Sequence, residues 1–373
     1  MKLIAQVKLL PTPEQEVLLR KTLETANAAC DDIAERAWES KTFQAFALQK
    51  LVYRDVRDTF ALSAQIVVRC IAKVADAYKI NHKTKRSFRP YGAISYDSRV
   101  LSYNLAKSRV SIWTLSGRQA IPFVCGERQR ELLSGQRGES DLALVDGVFY
   151  LLACCDVETP EPADVSAYLG VDMGIVNLAA DSDGETFSGA GVDVNRRKYA
   201  HRRRNLQRKG TRAARRKLKK ISGRQARFQK DINHCISKRI VRKAQDTARG
   251  IGLENLAGIR ARVTVRAKQR ARHANWAFFQ LRVFISYKAA RAGVAVVLVD
   301  PRNTSRECPN CGHIDKANRP SQSKFCCIRC GHAGPADTVA AVNIAARAAV
   351  IRPMVSTRPE SGTSHPASSG CGK

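Results

Sequence analysis

The chain has 373 residues, 44% of them hydrophobic, so it is long enough for two or three domains with buried cores. Its formal net charge is +31 at neutral pH, because it holds 64 lysines and arginines against 33 acids. Such an excess of cations repels itself unless a polyanion neutralises it, so we expect a nucleic acid partner and strongly salt-dependent binding. No run of 18 apolar residues is present, so we expect no membrane partner.

The first 85 residues predict a short strand followed by three helices. Residues 1–10 alternate polar and apolar side chains, which is typical of a strand. Thr12 begins a Thr-Pro-Glu-Gln stretch that predicts a helix start with threonine as the N-cap. Two more helices are expected over 42–60 and from Ser63, so residues 11–85 are expected to form a helical domain. The first helix carries apolar residues three and four positions apart: Leu19, Leu23, Ala26, Cys30, Ile33 and Ala37.

Short strand-like segments follow over residues 86–165. Asp146 and Gly147 interrupt an apolar run at 142–157 and predict a two-residue hairpin turn. We therefore expect a small antiparallel β-barrel, and we expect the strand of residues 1–10 to join it.

Strands and helices alternate beyond residue 166, which indicates an α/β core. Strands are expected over 168–180, 250–255 and 293–301, with a helix over 274–292. The first part of the α/β domain is expected over 166–306, and it includes a basic helical insert at 196–245. A cysteine-rich ribbon is expected over 307–332, the last helix of the domain over 333–352 and a disordered tail over 353–373.

A strongly basic segment lies within this insert. Residues 196–230 contain 17 lysines and arginines and no acid. A solvated helix face or a basic disordered arm is an alternative, but so dense a cluster favours phosphate contacts. Trp276, Phe278 and Phe279 are expected in a helix core rather than as base-stacking platforms. The predicted nucleic-acid-binding residues are Arg196, Arg197, Lys198, Arg202, Arg203, Arg204, Arg208, Lys209, Arg212, Arg215, Arg216 and Lys217.

Four cysteines have the spacing of a metal site. Cys308-Pro-Asn-Cys311 and Cys327-Ile-Arg-Cys330 are CxxC pairs separated by 15 residues, and glycine follows each pair. They predict one closed, structural Zn²⁺ site, whereas a lone CxxC would favour a redox pair. Cys326 is an alternative ligand to Cys327, although the CxxC spacing favours Cys327. Since most other cysteines lie in apolar patterns, we expect a reducing compartment.

Three acidic residues lie at unusual places in apolar elements. Asp172 lies in YLGVDMGIVNLAA, a predicted buried strand, where an unpaired carboxylate is costly unless it pairs, protonates or binds a metal. Glu254 ends a second apolar strand, and Asp337 begins a helix of small residues. Each has a plain structural explanation by itself: a satisfied core acid, a strand end in solvent and a helix N-cap, respectively.

Together, the three carboxylates suit a different role. Hydrolysis of a phosphodiester needs two divalent cations about 3.5–4 Å apart, and Mg²⁺ prefers carboxylate oxygens. On a chain of charge +31, such a site would lie beside bound phosphates, so we predict that the three acids are catalytic ligands of two Mg²⁺ ions. Asp181, Asp183 and Asp300 are competitors that we interpret as structural, since two lie in a polar turn and the third precedes a proline.

Several stretches of the sequence resemble a known family. GVDMGIVNLA, GLENLAGIR and PADTVAAVNIA resemble the three motifs of a split RuvC nuclease domain, which has an RNase H-like fold. The chain also resembles the TnpB proteins of insertion sequences, in the run from NWAFFQLRVF to ECPNCG, in KFCCIRCG and in the last helix. TnpB proteins are relatives of compact type V CRISPR effectors. The match is clear from about residue 168 to residue 347, roughly half of the chain. Before it, the resemblance implies a helical recognition domain and a wedge-like barrel. The resemblance also implies that the protein lies in the cytoplasm of a prokaryotic cell, associated with the nucleoid.

The resemblance implies an RNA-guided DNA endonuclease that binds a guide RNA from its own element and cuts double-stranded target DNA beside a short motif. Asp172, Glu254 and Asp337 fall on the three catalytic positions, and the four cysteines fall on the zinc-ribbon positions. Asn343 matches the family, but Val339 replaces its usual asparagine, which we expect to alter activity without abolishing it. The alternatives are a guide-independent RuvC-like DNA nuclease and a zinc-ribbon regulator that binds nucleic acid with weak or no cleavage.

Overall fold

The computed structural model of the protein describes residues 1–256 and 278–351. The chain divides into two compact units, Met1–Glu158 and Thr159–Lys373. No helix in the described ranges is long and apolar enough to cross a membrane. Trp276 and the predicted tail lie outside the described residues.

Three helices follow the N-terminal strand of the first unit: α1 (Pro13–Glu39), α2 (Ala45–Phe60) and α3 (Ala64–Ile80). The predicted start of α1 is a capping box, in which Thr12 Oγ1 accepts from Gln15 N (3.3 Å) and Gln15 Oε1 accepts from Thr12 N (3.1 Å). The predicted apolar face of α1 is buried, and α1 packs against α2 and α3. The periodicity of the sequence therefore identified the side of α1 that forms the core.

Seven antiparallel strands form the sheet of the first unit: β1 (Lys2–Leu9), β2 (Ile94–Tyr96), β3 (Leu101–Asn104), β4 (Arg109–Thr114), β5 (Gly117–Val124), β6 (Gln136–Val145) and β7 (Val148–Asp156). Their order is β2-β6-β7-β1-β5-β4-β3, so the N-terminal strand lies in the middle. Tyr103 Oη on β3 donates to Ser140 Oγ on β6 across 3.1 Å, although a flat sheet would separate these strands by about 24 Å. The sheet is therefore curved and nearly closed.

The turn between β6 and β7 is the predicted two-residue hairpin. Val145 pairs with Val148, and Asp146 and Gly147 have φ values of +49° and +83°, the positive values of a type I′ turn. The sequence did not predict the short helix α4 (Glu127–Ser134), because Leu133 is its single buried side chain and gives no periodic pattern.

Five strands form the sheet of the second unit: β8 (Tyr168–Asp172), β9 (Asn177–Asp181), β10 (Thr186–Ser188), β11 (Gly250–Glu254) and β12 (Val296–Val299). Their order is β10-β9-β8-β11-β12, in which β8, β11 and β12 are parallel while β9 and β10 run antiparallel to their neighbours.

The prediction of a single strand over 168–180 is wrong. The chain reverses at 173–176, so Asp172 ends β8 instead of lying in the middle of a strand. Gly174 permits this tight reversal, because a Cβ there would lie 2.7 Å from the carbonyl oxygen of Asn177. The stretch also holds Gly170 inside β8, so a glycine alone did not mark where the chain turns.

The second unit has four described helices: α5 (Ala190–Lys209), α6 (Arg212–Asp246), α7 (Phe278–Arg291) and α8 (Ala336–Val350). One apolar cluster joins the sheet to α6 and α7, and a second joins it to α8. The α/β core expected from the sequence is therefore present, with its sheet buried by helices.

Helix α8 approaches two strands unusually closely because glycines face it. A Cβ on Gly170 of β8 would lie 2.6 Å from the backbone nitrogen of Ala345, and one on Gly252 of β11 would lie 2.9 Å from Ala348 Cβ. The small side chains of α8 thus pack directly on the backbone of β8 and β11, which fixes the position of this helix on the sheet.

Candidate active site

The four predicted zinc cysteines lie on two tight turns. Gly312 N donates to Cys308 O (2.9 Å) and Gly331 N donates to Cys327 O (2.9 Å), and the glycines have φ values of +69° and +73°. Glycine is needed at both places because other residues rarely adopt this left-handed conformation. Each turn therefore directs two thiols of its CxxC pair to the same side.

The geometry of the four sulfurs fits zinc. The Sγ atoms of Cys308 and Cys330 are 3.6 Å apart, as are those of Cys311 and Cys327, and all four sulfurs lie within 4.8 Å of one another. A tetrahedral Zn²⁺ with Zn–S bonds of about 2.3 Å places its sulfurs about 3.8 Å apart. Cys326 is exposed and is not one of this group. The group could therefore hold a structural zinc ion.

The cysteine ribbon has a small apolar core of its own. It contains a hairpin, β13 (Lys324–Cys326) and β14 (Ala333–Pro335). Phe325 and Val339 are buried beside the zinc cysteines. Val339, the residue that departs from the family pattern, thus packs against the ribbon, which explains why an apolar side chain suits this position.

The three predicted carboxylates are brought together by the sheet and α8. Asp172 and Glu254 end the neighbouring parallel strands β8 and β11, where Val171 pairs with Leu253 one residue earlier. Asp337 is the second residue of α8, the helix that packs on these strands. Residues separated by up to 165 positions in the sequence therefore meet at one edge of the sheet.

Burial and nearby charges raise the pKa of two of these carboxyl groups, Asp172 and Glu254. The pKa of Asp172 is raised to about 7, first by loss of solvent and then by the nearby charges of Glu254 and Asp337. Burial also raises the pKa of Glu254, and a hydrogen bond from Thr304 opposes that change. A divalent cation would relieve this repulsion, and carboxylate oxygens are the ligands that Mg²⁺ prefers. Among the described residues, however, only the four cysteines have ligand atoms that all lie within 4.8 Å of one another, so the three carboxylates do not form an equally tight ligand group.

Three polar residues that the sequence did not single out contact the carboxylates. Asn177 Nδ2 donates to Asp337 Oδ2 (2.9 Å), and Arg319 Nη2 lies 3.4 Å from Asp337 Oδ1. Thr304 Oγ1 donates to Glu254 Oε1 (2.5 Å). Asn177 and Thr304 lie inside stretches that carry the family resemblance, but nothing in the sequence indicated that they contact the carboxylates.

The competing acids have other partners. Asp181 is buried and accepts from Lys243 Nζ (2.5 Å), while Arg249 binds both oxygens of Asp183 (2.9 and 2.6 Å). These cations lower the pKa of Asp183 to about 2. Asp300 Oδ1 accepts from the backbone nitrogen of Arg302 (2.9 Å). These contacts agree with the structural roles predicted for Asp181 and Asp183, whereas Asp300 also lies close enough to Glu254 for its charge to raise the pKa of that carboxyl group.

The basic segment forms a helical hairpin, in which Gly210 (φ +66°) ends α5 and Thr211 caps α6. Ten of the twelve predicted nucleic-acid-binding residues are exposed. The other two are partly buried: Arg196 contacts Asp193, and Arg203 contacts Gln225. The hairpin therefore offers a dense array of cations to solvent.

The expectation that Phe279 belongs to a helix core is wrong. Phe278 packs against the cluster beneath α7, but Phe279 is 68% exposed, and Arg282 lies over its ring at 5.4 Å. Neighbouring positions on a helix are about 100° apart, so one aromatic residue of an adjacent pair can face the core while the other faces solvent.

Comparison with known proteins identifies the family. Residues 153–257 match the family model described as "Probable transposase", and residues 278–344 match the one described as "Cas12f1-like, TNB domain". A TnpB-like protein of Methanocaldococcus jannaschii is 33% identical over 196 residues, which cover 49% of this chain and 69% of that protein. The chain belongs to the TnpB family.

The TnpB family member described here also resembles a CRISPR effector. The CRISPR-associated endodeoxyribonuclease Cas12f1 of Sulfoacidibacillus thermotolerans is 32% identical over 199 residues, covering 49% of this chain and 46% of that protein. The chain thus spans less than half the length of this relative. A cryo-EM structure of a Cas12f1 complex with sgRNA and target DNA matches 89% of this TnpB chain and 83% of its own, with a TM-score of 0.57 and 15% identity. This likeness shows a shared fold.

Proposed function

We propose that this TnpB family member is an RNA-guided DNA endonuclease. It binds a guide RNA derived from its own element and cleaves double-stranded target DNA beside a short adjacent motif. The observation that carries the proposal is the meeting of Asp172, Glu254 and Asp337 at one sheet edge, where burial and repulsion raise the pKa of Asp172 to about 7. Membership of the family and the names of its relatives support the same activity.

The three carboxylates would hold two Mg²⁺ ions. When bound, these ions supply an activated water and stabilise the oxygen that leaves the phosphorus. The protein contributes carboxylates on two strand ends and one helix start, so their spacing is set by backbone packing. Asn177 and Thr304 each donate a hydrogen bond to a carboxylate oxygen and restrict its orientation.

The exposed cations suit nucleic acid that is recognised by its backbone. An RNA-guided enzyme leaves sequence recognition to base pairing and needs mainly phosphate contacts. The ten exposed lysines and arginines of the α5–α6 hairpin are proposed to supply part of these contacts. The cysteine group would hold one Zn²⁺ in a structural role, because four thiolates leave no open position on the ion.

One experiment tests the proposal directly. The full chain is expressed together with its native flanking DNA, the RNA that copurifies is sequenced, and cleavage of a plasmid library with random flanks is measured with and without Mg²⁺. We expect a defined RNA species and Mg²⁺-dependent cleavage of plasmids that match this RNA beside one short motif. Cleavage without bound RNA would indicate the guide-independent nuclease, and RNA or DNA binding without Mg²⁺-dependent cleavage would indicate a regulator.

A further inference from the structure

The segment between β12 and the first zinc cysteine places a buried hydroxyl against Glu254. Thr304 is 3% exposed, and its Oγ1 donates to Glu254 Oε1 across 2.5 Å. The same hydroxyl lies 3.1 Å from the carbonyl oxygen of Pro301. It has one hydrogen, and the shorter contact leads to a carboxylate, the stronger acceptor.

Two side chains of α8 hold this segment in place. Asn343 is buried, and its Nδ2 donates to the carbonyl oxygens of Thr304 and Glu307, both at 2.8 Å. Arg347, one turn later, donates through Nη1 to the carbonyl oxygens of Asp300 (2.9 Å) and Arg302 (2.7 Å). Its Nη2 also contacts the carboxylate of Glu307 (2.5 Å).

These bonds meet a physical need of the segment. Residues 300–307 are not part of the five-stranded sheet, so their carbonyls require partners elsewhere. Helix α8 supplies four of these bonds from two residues on one face, since positions 343 and 347 are four apart. The backbone that carries Thr304 is therefore fixed relative to the helix that carries Asp337.

We propose that Thr304 is a positioning residue for Glu254, and that Asn343 and Arg347 keep it in place from the helix of Asp337. This inference rests on the proposed function, in which both acids hold divalent cations. A continuous chain of hydrogen bonds then connects Glu254 to the helix of Asp337. A glutamate has three rotatable side-chain bonds, and the hydroxyl at Oε1 selects one orientation while Oε2 can still ligate a cation.

Loss of the hydroxyl should weaken cation binding with little effect on folding. Removing a hydrogen-bonding partner of a metal ligand typically lowers metal affinity about 10- to 100-fold. Valine has nearly the shape of threonine without the hydroxyl, and serine keeps the hydroxyl. We therefore expect Thr304→Val to lower the affinity for Mn²⁺ about tenfold, whereas Thr304→Ser stays within about threefold of the wild type.

The test uses the zinc-loaded full chain without nucleic acid and follows free Mn²⁺ by electron paramagnetic resonance. Wild type, Thr304→Val, Thr304→Ser, Glu254→Gln and the Thr304→Val/Glu254→Gln double variant are titrated in parallel. Because Thr304 acts through Glu254, the valine substitution should cause no further loss in the Glu254→Gln background. Zinc content and melting temperature are measured on every variant, and Thr304→Ala replaces the valine variant if the latter does not fold.

Two results would overturn the inference while the proposed function stands: a Thr304→Val protein that binds Mn²⁺ like the wild type, or valine and serine variants that are weakened equally. The second result would mean that Thr304 matters for the packing of its segment. A wild type that binds no Mn²⁺, or binds it equally after Glu254→Gln, would overturn both this inference and the proposed metal site.

Discussion

Two groups of acids lie on opposite faces of neighbouring strands, and they differ in how far nearby cations neutralise their charges. In the β8–β9 pairing, Asp172 is opposite Ala180, and Val171 is opposite Asp181. Adjacent residues of a strand point to opposite faces, so Asp172 and Asp181 face different helices. Asp181 meets Lys243 of α6, and Asp172 lies near Asp337 of α8.

The difference lies in how the charges are balanced. Lys243 contacts Asp181 and Asp183, Arg249 holds both oxygens of Asp183, and Arg239 pairs with Glu185. Around Asp172, burial and two further carboxylates dominate, and its pKa rises to about 7 while that of Asp183 falls to about 2. Asp181, Asp183 and Glu185, whose charges are paired with cations, are the balanced acids and hold α6 to the sheet. Asp172, Glu254 and Asp337 are the unbalanced acids and form a site that favours an added cation.

The largest expected effect is on catalysis. Asp172→Asn removes one proposed ligand charge and should lower the single-turnover cleavage rate of guide-loaded protein about a thousandfold, equivalent to about 4 kcal/mol of transition-state stabilisation. The melting temperature should not fall, because the variant relieves repulsion. Asp246→Asn on the exposed part of α6 is the matched control and should cleave normally. Wild-type cleavage by Asp172→Asn would remove Asp172 from the proposed site.

The balanced acids should show the opposite result. Asp181→Asn leaves Lys243 without its shortest ion pair and should lower the free energy of unfolding by about 2 kcal/mol, measured by urea denaturation. Asp246→Asn should change it by less than about 0.5 kcal/mol. If Asp181→Asn is as stable as the wild type while cleavage is lost, the assignment of the two groups must be exchanged.

The ribbon should affect only the unbalanced group. Asp337 follows Cys330 by seven residues, so Cys308→Ser with Cys311→Ser should remove zinc and lower cleavage at least about tenfold. Metal analysis and cleavage assays measure both effects. Cys326→Ser, next to the ligands but outside the four-sulfur group, should keep zinc and activity. Normal cleavage by the zinc-free double variant would show that the ribbon does not support Asp337.

The last prediction concerns the pH dependence of stability. In the folded, magnesium-free protein Asp172 has a pKa of about 7, above its ordinary value of 3.8, so its contribution to stability is lost as pH rises from about 4 to about 7. An asparagine side chain does not titrate, so the melting temperature of Asp172→Asn minus that of wild type should grow by about 5 to 10 °C over this range. Asp183 contributes to stability with the opposite pH dependence. Its pKa of about 2 lies below its ordinary value of 3.8, so its contribution is present above about pH 4 and is lost as pH falls toward 2. A difference between variant and wild type that is independent of pH would contradict the raised pKa of Asp172.

The parts that the sequence predicted well depend on local spacing. The four-cysteine group that could hold zinc, the capped start of α1 and the type I′ hairpin each follow from residues a few positions apart. The sequence also placed the three carboxylates in or at the ends of core elements, although it put Asp172 inside a strand because Gly174 alone marks the reversal.

The residues of the candidate site that the sequence did not predict contact carboxylates that are far away along the chain. Thr304 is 50 residues from Glu254, Asn177 is 160 from Asp337, and each is a common polar residue of a loop or strand end. Periodicity and ligand spacing describe neighbours along the chain, so they carry no information about such contacts. The backbone packing that brings them together has to be known first.

Gly170 and Gly252 also limit how this protein can diverge. Elsewhere in the sheet, a changed side chain can be accommodated when its neighbours repack. At these two positions the nearest atoms belong to α8 and lie where any Cβ would go, so even alanine requires the helix to move. Helix α8 carries Asp337, and the two strands carry Asp172 and Glu254, so moving the helix would displace the candidate site. Substitutions can therefore accumulate in the apolar layers of the core but not at Gly170 and Gly252.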